Sequence, residues 1–457
     1  METHVKHRDP RAHSAGLLAL CRRGVDRARR AGADQAEVCA EWQHASVASI
    51  QQNDFDQLSD TEETLLGVRV VVHGRPGFAT ANRAGALDRS IEDAIAIARA
   101  TAPDPWSGFH VARGGPITSS DVSDNLVDID SPALAQAAVD RLRSLRSAHP
   151  ILTIDSGDLG VSRSVRAMVS SEGVEGSFSA TRAYGNVFGM AIEDDKVGSF
   201  AYDGAVCGSW HALGPALDQA FGRFVRQAVD AVRATRGASF RGDIILMPSA
   251  AADLLISPLM TALSGARVRR GQSPFGEKVG EAIAAPALTI FDEGLGLPEV
   301  AACPFDRDGA VRTRRRLVDC GVLRGLLYSQ YEANAAHTES TASALGGASR
   351  APYVGVAACS VNAGSLPLQA LESAQRCVVV PRFAGTTDHV TGDFSGVVKG
   401  GYLVENGARR PIHETTIAGN VYDCLRNITG ISQERESLSG HHRLPSFRVA
   451  NISITAG

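Results

Sequence analysis

The adjacent residues His413 and Glu414 match the beginning of a zinc-hydrolase motif. In HExxH, two histidines one helical turn apart bind the metal, and the glutamate acts as general base. Here Ile417 and Ala418 occupy the positions at which HExxH or HExxxH would place the second histidine. The β-branched residues in this segment favour a strand, in which His413 and Glu414 would point to opposite faces. We therefore predict that the pair lies in a strand and binds no metal.

A second group of polar residues surrounds His389, in the segment TTDHVTGDFSG. A histidine close to carboxylates is able to act as a general acid or base. Polar turns also contain histidines that have no such role, so the segment alone does not identify a catalytic residue. We predict no catalytic residue here and take as candidate substrate-binding residues His389, Thr391, Gly392, Asp393 and Ser395.

Three other kinds of site receive little support. His441 and His442 are adjacent, but no cysteine lies nearby to complete a metal site, so we predict a solvated loop. A serine hydrolase would need a nucleophile elbow such as GxSxG, which the sequence lacks. The glycine-rich stretches also lack GxGxxG and GxxxxGK[ST], so they predict turns rather than a nucleotide site.

Charge and cysteine content narrow the class of protein. The 457 residues include 46 basic and 50 acidic side chains, a formal charge of −4, which gives no electrostatic reason to expect nucleic-acid or membrane binding. Eight cysteines without a CxxC pair are typical of reduced thiols in a cytosolic protein. No apolar run approaches the ~20 residues of a membrane span, and the basic N-terminus has no apolar core of a signal peptide. We expect a cytoplasmic protein.

The hydrophobic pattern predicts an α+β fold with two domains. In residues 1–236, helical spacing at 14–33, 87–98, 132–148 and 213–238 alternates with strand-like runs at 36–55, 68–72, 78–81 and 152–202. A Pro/Gly/Ser-rich passage at 103–125 predicts a loop. In residues 237–457, short β-rich runs alternate with glycine-rich turns, and only 249–264 and 366–376 read as helical. The sequence thus predicts an N-terminal α/β domain followed by a mainly antiparallel β domain.

Several long blocks resemble the TldD/TldE (PmbA) metallopeptidase family. They are CPFDRDGAVRTRRRLVDCGVLRGLLYS (303–329), VTGDFSGVVKGGYLVENG (390–407), ETTIAGNVYDCLRNI (414–428) and LPSFRVANISITAG (444–457). In the N-terminal half, GVRVVVHGRPGFATAN (67–82) is similar too. The resemblance covers most of residues 45–457, and it places HETTIAGN on a strand of the family fold.

The resemblance implies which member of the pair this chain is. The TldD-type subunit carries HExxxH on a helix after the first strand of the C-terminal domain, and a cysteine ligand near its C-terminus. The corresponding helix here has no histidine, glutamate or cysteine at 254–263, and the last cysteine is Cys424. The chain is therefore similar to the TldE-type subunit. We expect no cofactor in this chain and zinc in a TldD-like partner that carries HExxxH.

Three functions remain open at this point. The first is a non-catalytic subunit of a heteromeric zinc peptidase that degrades or matures peptides or unfolded polypeptides. The second is a stand-alone regulatory protein of the gyrase-modulator type. The third is a self-sufficient hydrolase whose site, without zinc, lies near His389 and Asp393.

Overall fold

Two large β-sheets organise the computed structural model, which describes residues 9–373 and 376–457. In these residues the first sheet has eight strands from the N-terminal half and the second has 13 strands from the C-terminal half. Helices pack against both sheets, which confirms the predicted α+β class. The boundary between residues 236 and 237 falls in the connection between the two sheets and stays a prediction. Among the described residues no helix has both the length and the apolar character needed to cross a membrane.

The first half contains long strands flanked by helices. The helices are α1 (Arg11–Arg30), α2 (Leu87–Ala100), α3 (Asp124–Val127), α4 (Ser131–Ala148) and α5 (Trp210–Val232), with a 3-10 turn at Ala84–Ala86. The strands are β1 (Gln35–Gln51), β2 (Asp54–Val72), β3 (Arg75–Ala81), β4 (Ile117–Asp121), β5 (Leu152–Ser170), β6 (Glu175–Glu193), β7 (Lys196–Val197) and β8 (Ala201–Cys207). Their order is β3-β2-β1-β5-β6-β4, with β7 and β8 also paired to β6.

Most sequence expectations for this half are confirmed. The predicted hairpin is the antiparallel pair β2 and β3, whose turn includes Gly74 with φ +70°. The predicted loop at 103–125 is wrong in part, because it contains β4, which pairs in parallel with β6. Thr118, Ser119 and Ser120 are exposed, so the strand carries no apolar alternation for sequence analysis to detect.

One face of the first sheet is covered by helices. Near one end, Leu18 and Val25 of α1 and Ile91 of α2 pack against Val68. Towards the other end, helices α4 and α5 form two further apolar clusters with strands β5 and β6. Because successive side chains of a strand point to alternate faces, the other half of the side chains lies on the opposite face of the sheet. That face turns toward the C-terminal half.

The second half is built from shorter elements. The helices are α6 (Pro248–Ala251), α7 (Ser257–Ala262), α8 (Gly265–Arg269), α9 (Gln330–Ala335), α10 (Leu368–Leu371) and α11 (Val421–Arg426), with a π turn at Ala252–Ile256 between α6 and α7. The strands are β9 (Phe240–Leu246), β10 (Ile290–Glu293), β11 (Gly296–Leu297), β12 (Val300–Ala301), β13 (Arg314–Asp319), β14 (Val322–Leu323), β15 (Ala344–Leu345), β16 (Tyr353–Val354), β17 (Cys359–Val361), β18 (Arg376–Val380), β19 (Arg382–Thr387), β20 (Asp393–Lys399), β21 (Tyr402–Glu405), β22 (Ala408–Pro411), β23 (Thr415–Asn420), β24 (Ile428–Leu438) and β25 (His442–Ala456).

Strand β25 is the centre of the second sheet. It pairs with β9, β23 and β24 in antiparallel fashion and with β17 in parallel. Strands β9 and β18 are also parallel, and the other ladders of this sheet are antiparallel in the described residues. The prediction of a mainly antiparallel sheet is therefore confirmed.

The two helices predicted for this half have different outcomes. The first is observed as α6, the π turn and α7, and Pro258 explains the wide turn because it has no N–H to donate to the carbonyl of Leu254. The second was predicted at 366–376, but the described helix is the short α10, and residues 374–375 lie outside the described residues. Arg376 already belongs to strand β18.

A buried ion pair connects the two halves. Nη1 of Arg307 lies 2.5 Å from Oε1 of Glu37 on β1, and both side chains are at most 1% exposed. Oε2 of Glu37 accepts from Arg69 at 3.2 Å, and Arg69 also lies 2.8 Å from Asp308. Asp308 in turn accepts a hydrogen bond from the backbone N–H of Gln330. The charges that would be costly to bury singly are thus paired across the contact.

Replacing Glu37 tests this contact. Glu37→Gln should lower the free energy of unfolding by about 3–5 kcal/mol, because it leaves the Arg307 guanidinium buried without its carboxylate. Urea denaturation followed by circular dichroism measures the change. The matched control is Asp218→Asn, which removes an exposed ion pair with Arg141 and should change the midpoint little. Equal effects of the two substitutions would contradict the proposed importance of the buried pair.

Candidate functional site in the cleft between the sheets

The face of the first sheet that turns away from its helices borders two cavities. The α6 region, defined as α6, the π turn and α7 (residues 248–262), borders the first cavity. This cavity has a volume of about 1000 Å³ and lies between β6, β8 and α5 on one side and the α6 region, β24 and the start of β25 on the other. The second has a volume of about 790 Å³ and lies between β1, β5 and β6 and the loops around residues 301–303, 345–350 and 356–358. His441 and His442 border both. The two cavities therefore form one cleft, which is the candidate functional site.

The alternation of β6 explains how one strand contributes to both cavities. Phe178 and Arg182 border the second cavity, and Tyr184 and Phe188 border the first. These residues are separated by even numbers of positions, so they share one face of the sheet. Ala183 lies on the other face, in the core with α4 and α5. The sheet thus provides a continuous wall for the cleft.

Charged pairs cross the wall of the first cavity. Arg223 of α5 binds both carboxylate oxygens of Asp203 on β8, at 2.8 and 2.9 Å. Its Nε also lies 3.8 Å from Glu436 of β24. Burial raises the pKa of Glu436, and the nearby Arg223 opposes that shift. This network ties the helix of the first half to a strand of the second half.

Arg382 and Tyr402 are two further polar side chains that border this cavity. Arg382 is buried, donates from Nη2 to the carbonyl of Phe200 at 2.7 Å, and stacks over the ring of Tyr202. Burial lowers its pKa. The Tyr402 hydroxyl donates to Asp230 at 2.7 Å, and burial together with that carboxylate raises the pKa of Tyr402 to about 12. Both side chains are held by fixed partners.

His442 lies between the two cavities. It is the first residue of β25, it is half-buried, and its Nδ1 is a buried atom without a hydrogen-bond partner. Burial, and secondarily the adjacent His441, lowers its pKa to about 4. The prediction of a solvated loop is correct for the exposed His441 and wrong for His442. Strand pairing of His442 with Leu438 and Cys359 draws it into the sheet.

The second cavity is bordered by arginines. Arg166 lies 2.6 Å from Glu41, whose other oxygen accepts from the backbone N–H of Ala348 at 2.9 Å. Arg312 is buried and donates to backbone carbonyls. Arg182 makes one long contact of 3.5 Å to the carbonyl of Ala301. For both Arg182 and Arg312 burial lowers the pKa, and the charge of Arg166 adds to the shift.

The predicted substrate-binding residues lie together at the hairpin between β19 and β20. Asp388 accepts from the backbone N–H groups of Val390 and Thr391, and Asp393 accepts from Thr391 and from Asn420. His389 is exposed, and its carbonyl accepts from Tyr422. Gly392 has φ +87°, and a Cβ there would meet the Tyr422 ring at 2.6 Å. Ser395 is exposed on β20. Other segments border the two large cavities.

His413 and Glu414 are not in a strand. They lie in the bend between β22 and β23, both exposed, and the predicted arrangement on opposite strand faces is wrong. The backbone N–H of His413 bonds to Thr235, and the carbonyl of Glu414 accepts from Gly457. The Glu414 carboxylate pairs with Lys399. These partners replace the ladder bonds that a strand would need.

Sequence reasoning missed the polar residues of the cleft, such as Arg182, Arg223, Arg382 and Glu436. They come from segments that are far apart in the chain, and each segment by itself reads as an ordinary strand or helix. The signal that could have found some of them is an arginine at an alternating position of a largely apolar strand, as for Arg182 in β6.

Comparison with known proteins identifies the family. Two family models match, one described as PmbA/TldA metallopeptidase domain 1 over residues 36–98, and one described as the PmbA/TldA metallopeptidase C-terminal domain over residues 239–456. Together they cover more than half of the chain. The chain belongs to the PmbA/TldD metallopeptidase family.

Relatives of the family match along nearly the whole chain. The metalloprotease PmbA of Escherichia coli O157:H7 is 24% identical over 437 residues, which are 91% of this chain and 92% of the relative. The crystal structure of TldE from Thermococcus kodakarensis has a TM-score of 0.86 at 21% identity, covering 96% of this chain and 99% of that chain. A candidate modulator of a DNA gyrase from Thermotoga maritima has a TM-score of 0.83 at 18% identity, covering 95% and 98%. The last two similarities show the shared fold.

The family name implies a metal, and a catalytic zinc needs three protein ligands beside the cleft. The α6 region presents Ser249, Ala252 and Asp253 to the first cavity. Burial raises the pKa of Asp253, which disfavours its ligating, ionised form. Among the described residues no group of three or more His, Cys, Asp or Glu side chains is placed to hold a metal ion. The side chains present therefore do not fit the three protein ligands of a catalytic zinc.

The low pKa of His442 predicts a loss of stability in acid. The unfolded chain binds a proton at His442 near its usual pKa of about 6.5, whereas the folded chain does so only near 4. Above pH 6.5 His442 is neutral in both states, and its contribution to stability is fully present. As the pH falls from 6.5 to 4, the unfolded chain gains a proton that the folded chain does not, so the free energy of unfolding decreases. The loss should be on the order of 1–3 kcal/mol.

Urea unfolding of the parent chain and of His442→Gln at pH 7, 6 and 5 measures this effect. Glutamine does not titrate, so the variant should lose less stability than the parent between pH 7 and pH 5. Taking the difference between the two proteins removes the contribution of the other titrating groups. Parallel pH profiles would show that His442 is protonated normally in the folded chain.

Proposed function

We propose that this chain is the non-catalytic, TldE-type subunit of a heteromeric zinc peptidase that degrades or matures peptides. The observation that carries the proposal lies in the α6 region. This chain belongs to a metallopeptidase family, yet the α6 region presents Ser249, Ala252 and Asp253 to the cleft. Among the described residues no group of side chains is placed to hold a metal ion. A zinc hydrolase needs a Lewis acid and a base near the scissile carbonyl. In this proposal a TldD-like partner with HExxxH provides both.

The role proposed for this chain is to close the reaction chamber and to position the peptide. The cleft supports this role because its volume and its mixed apolar and polar walls suit an extended peptide. Strand β19 offers a second means of recognition. Among the described residues it pairs with β20 on one side, and an extended peptide is able to pair with a free strand edge.

The hairpin that carries His389, Thr391, Gly392, Asp393 and Ser395 is proposed as a further peptide contact. Its internal hydrogen bonds fix the turn before any ligand binds, which reduces the entropy lost on binding. Its exposure leaves the His389 imidazole and the Ser395 hydroxyl accessible. Because other segments border the large cavities, this contact would form where the partner meets the hairpin.

We place the pair in the cytoplasm. All eight cysteines, which lie within the described residues, are free thiols, and seven of them are buried. Free cysteines are typical of proteins in a reducing compartment.

Metal analysis and activity assays test the division of labour. The purified chain, dialysed against a weak chelator, should hold substoichiometric zinc. Peptidase activity should be undetectable for the chain alone, appear when an HExxxH-bearing partner is added, and disappear with a strong chelator. About one tightly bound zinc per chain would contradict the proposal.

Two exposed histidines provide a matched test of the hairpin. In the assembled pair, His389→Ala should raise KM about fivefold, the effect of one lost hydrogen bond. His413→Ala should change activity less than threefold, under ~0.7 kcal/mol, because it lies in a bend away from the hairpin. The unfolding midpoint of each variant serves as the folding control. Equal KM values for the two variants would contradict a contact between the hairpin and the peptide.

The same assays separate the two other functions. A stand-alone regulatory protein is the second candidate function, because the chain shares its fold with the candidate gyrase modulator. That function would be supported by a chain that neither binds nor activates an HExxxH partner. Chelator-resistant activity of the chain alone, lost on Asp393→Ala, would instead identify a self-sufficient hydrolase.

A further inference from the structure

The second cavity has an excess of positive charge. Its border includes four arginines, Arg166, Arg182, Arg312 and Arg350, and two glutamates, Glu41 and Glu63. The excess is unexpected in a chain whose formal charge is −4.

The two glutamates do not neutralise the four arginines. Both oxygens of Glu41 are already used, one by Arg166 at 2.6 Å and one by the N–H of Ala348 at 2.9 Å. Glu63 is exposed and, within the described residues, forms no ion pair with these arginines. Arg350 is exposed and stacks over the ring of Tyr353, with 4.4 Å between its guanidinium carbon and the ring centroid. Within the described residues no carboxylate lies at ion-pair distance from Arg182 or Arg312, and the charges of Asp121 on Arg182 and of Asp306 and Asp292 on Arg312 act from farther away.

Of the four arginines that border this cavity, Arg182 and Arg312 are the two proposed to bind an incoming anion. A guanidinium has five N–H donors, and a buried charge is stabilised when an ion of opposite sign satisfies them. Arg312 donates to the carbonyls of Cys303 and Ala344 at 3.2 and 3.3 Å, and Arg182 reaches the carbonyl of Ala301 at 3.5 Å. In the part of the chain that is described, neither forms an ion pair. Donors thus remain for an anion that enters the cavity.

We infer that this cavity binds a carboxylate group of a peptide through Arg182 and Arg312. Arginine pairs with a planar carboxylate through two parallel hydrogen bonds, which gives both affinity and orientation. The volume of about 790 Å³ accommodates several residues in addition to the carboxylate. The inference rests on the proposed function, because it is that function which supplies a peptide as ligand.

Two sources of the carboxylate are possible in a peptide, the C-terminus and an acidic side chain. Three probes distinguish them: an N-acetylated alanine-rich hexapeptide as the free acid, the same peptide as C-terminal amide, and that amide with one internal glutamate. Calorimetric titration into the purified full-length chain measures the Kd of each. The free acid, the glutamate-containing amide or both should bind about tenfold tighter than the neutral amide.

Substitutions locate the binding. Arg182→Gln should reduce the preference for a carboxylate to less than about threefold, since the guanidinium supplies it. Arg89→Gln is the matched control, because it removes the same charge from an exposed site on α2 and should keep the full preference. Should Arg182→Gln fail to fold, as judged by its unfolding midpoint, Arg182→Lys replaces it, because lysine keeps the charge but cannot form the two parallel hydrogen bonds, so the preference should again fall.

Equal Kd values for all three probes, or no binding of any probe, would overturn the inference. So would a carboxylate preference that a folded Arg182→Gln or Arg182→Lys variant retains in full. Failure of the proposed function gives a different result, because carboxylate-selective binding to this chain would persist while the pair with an HExxxH partner showed no peptidase activity. Conversely, an active pair formed by a chain that binds all three probes equally would retain the function and lose the carboxylate site.

Discussion

The cleft depends on the buried ion pair between Glu37 and Arg307. Both side chains lie out of contact with water, and each charge would be costly to bury without the other. Because Glu37 belongs to β1 and Arg307 to the second half, satisfying these charges fixes one position of the C-terminal half on the open face of the first sheet. Phe305 fills the adjacent space against Met168 and Phe178. The cavities lie beside this contact. The pairing of the two buried charges therefore helps to fix the geometry of the cleft.

Sequence patterns predicted the elements more successfully than their arrangement. Helices α1, α2 and α4 follow from apolar residues at helical spacing, and the β2–β3 hairpin follows from the glycines and proline near its turn, although Arg75, Pro76 and Gly77 already pair within β3. These signals are local. Pairing of β25 with four different strands brings together residues more than 200 positions apart, for example Ile454 and Phe240. A single sequence contains no local signal for such contacts, which explains why the cleft was not predicted.

The histidines illustrate the same limit at the level of single residues. His441 and His442 are adjacent and have the same chemistry, yet one is exposed and the other has a pKa lowered to about 4. The difference arises because β25 begins at His442, and the beginning of a strand depends on the neighbouring strands. His413 is the reverse case. Its β-branched neighbours favoured a strand, but bonds to Thr235 and Gly457 hold the segment in a bend.

The α6 region contributes to the core of the second half on one side and to the cleft on the other. Its inward-facing residues, among them Leu254, Leu255 and Leu259, are fully buried in the main core of the second half. Its cleft-facing residues, Ser249 and Asp253, contribute no apolar burial to that core. Stability therefore constrains one side of the helix, and chemistry constrains the other. Ala252 belongs to both sides, whereas Ser249 and Asp253 border the cleft alone, so these two polar residues are constrained by the chemistry of the cleft rather than by the packing of the core.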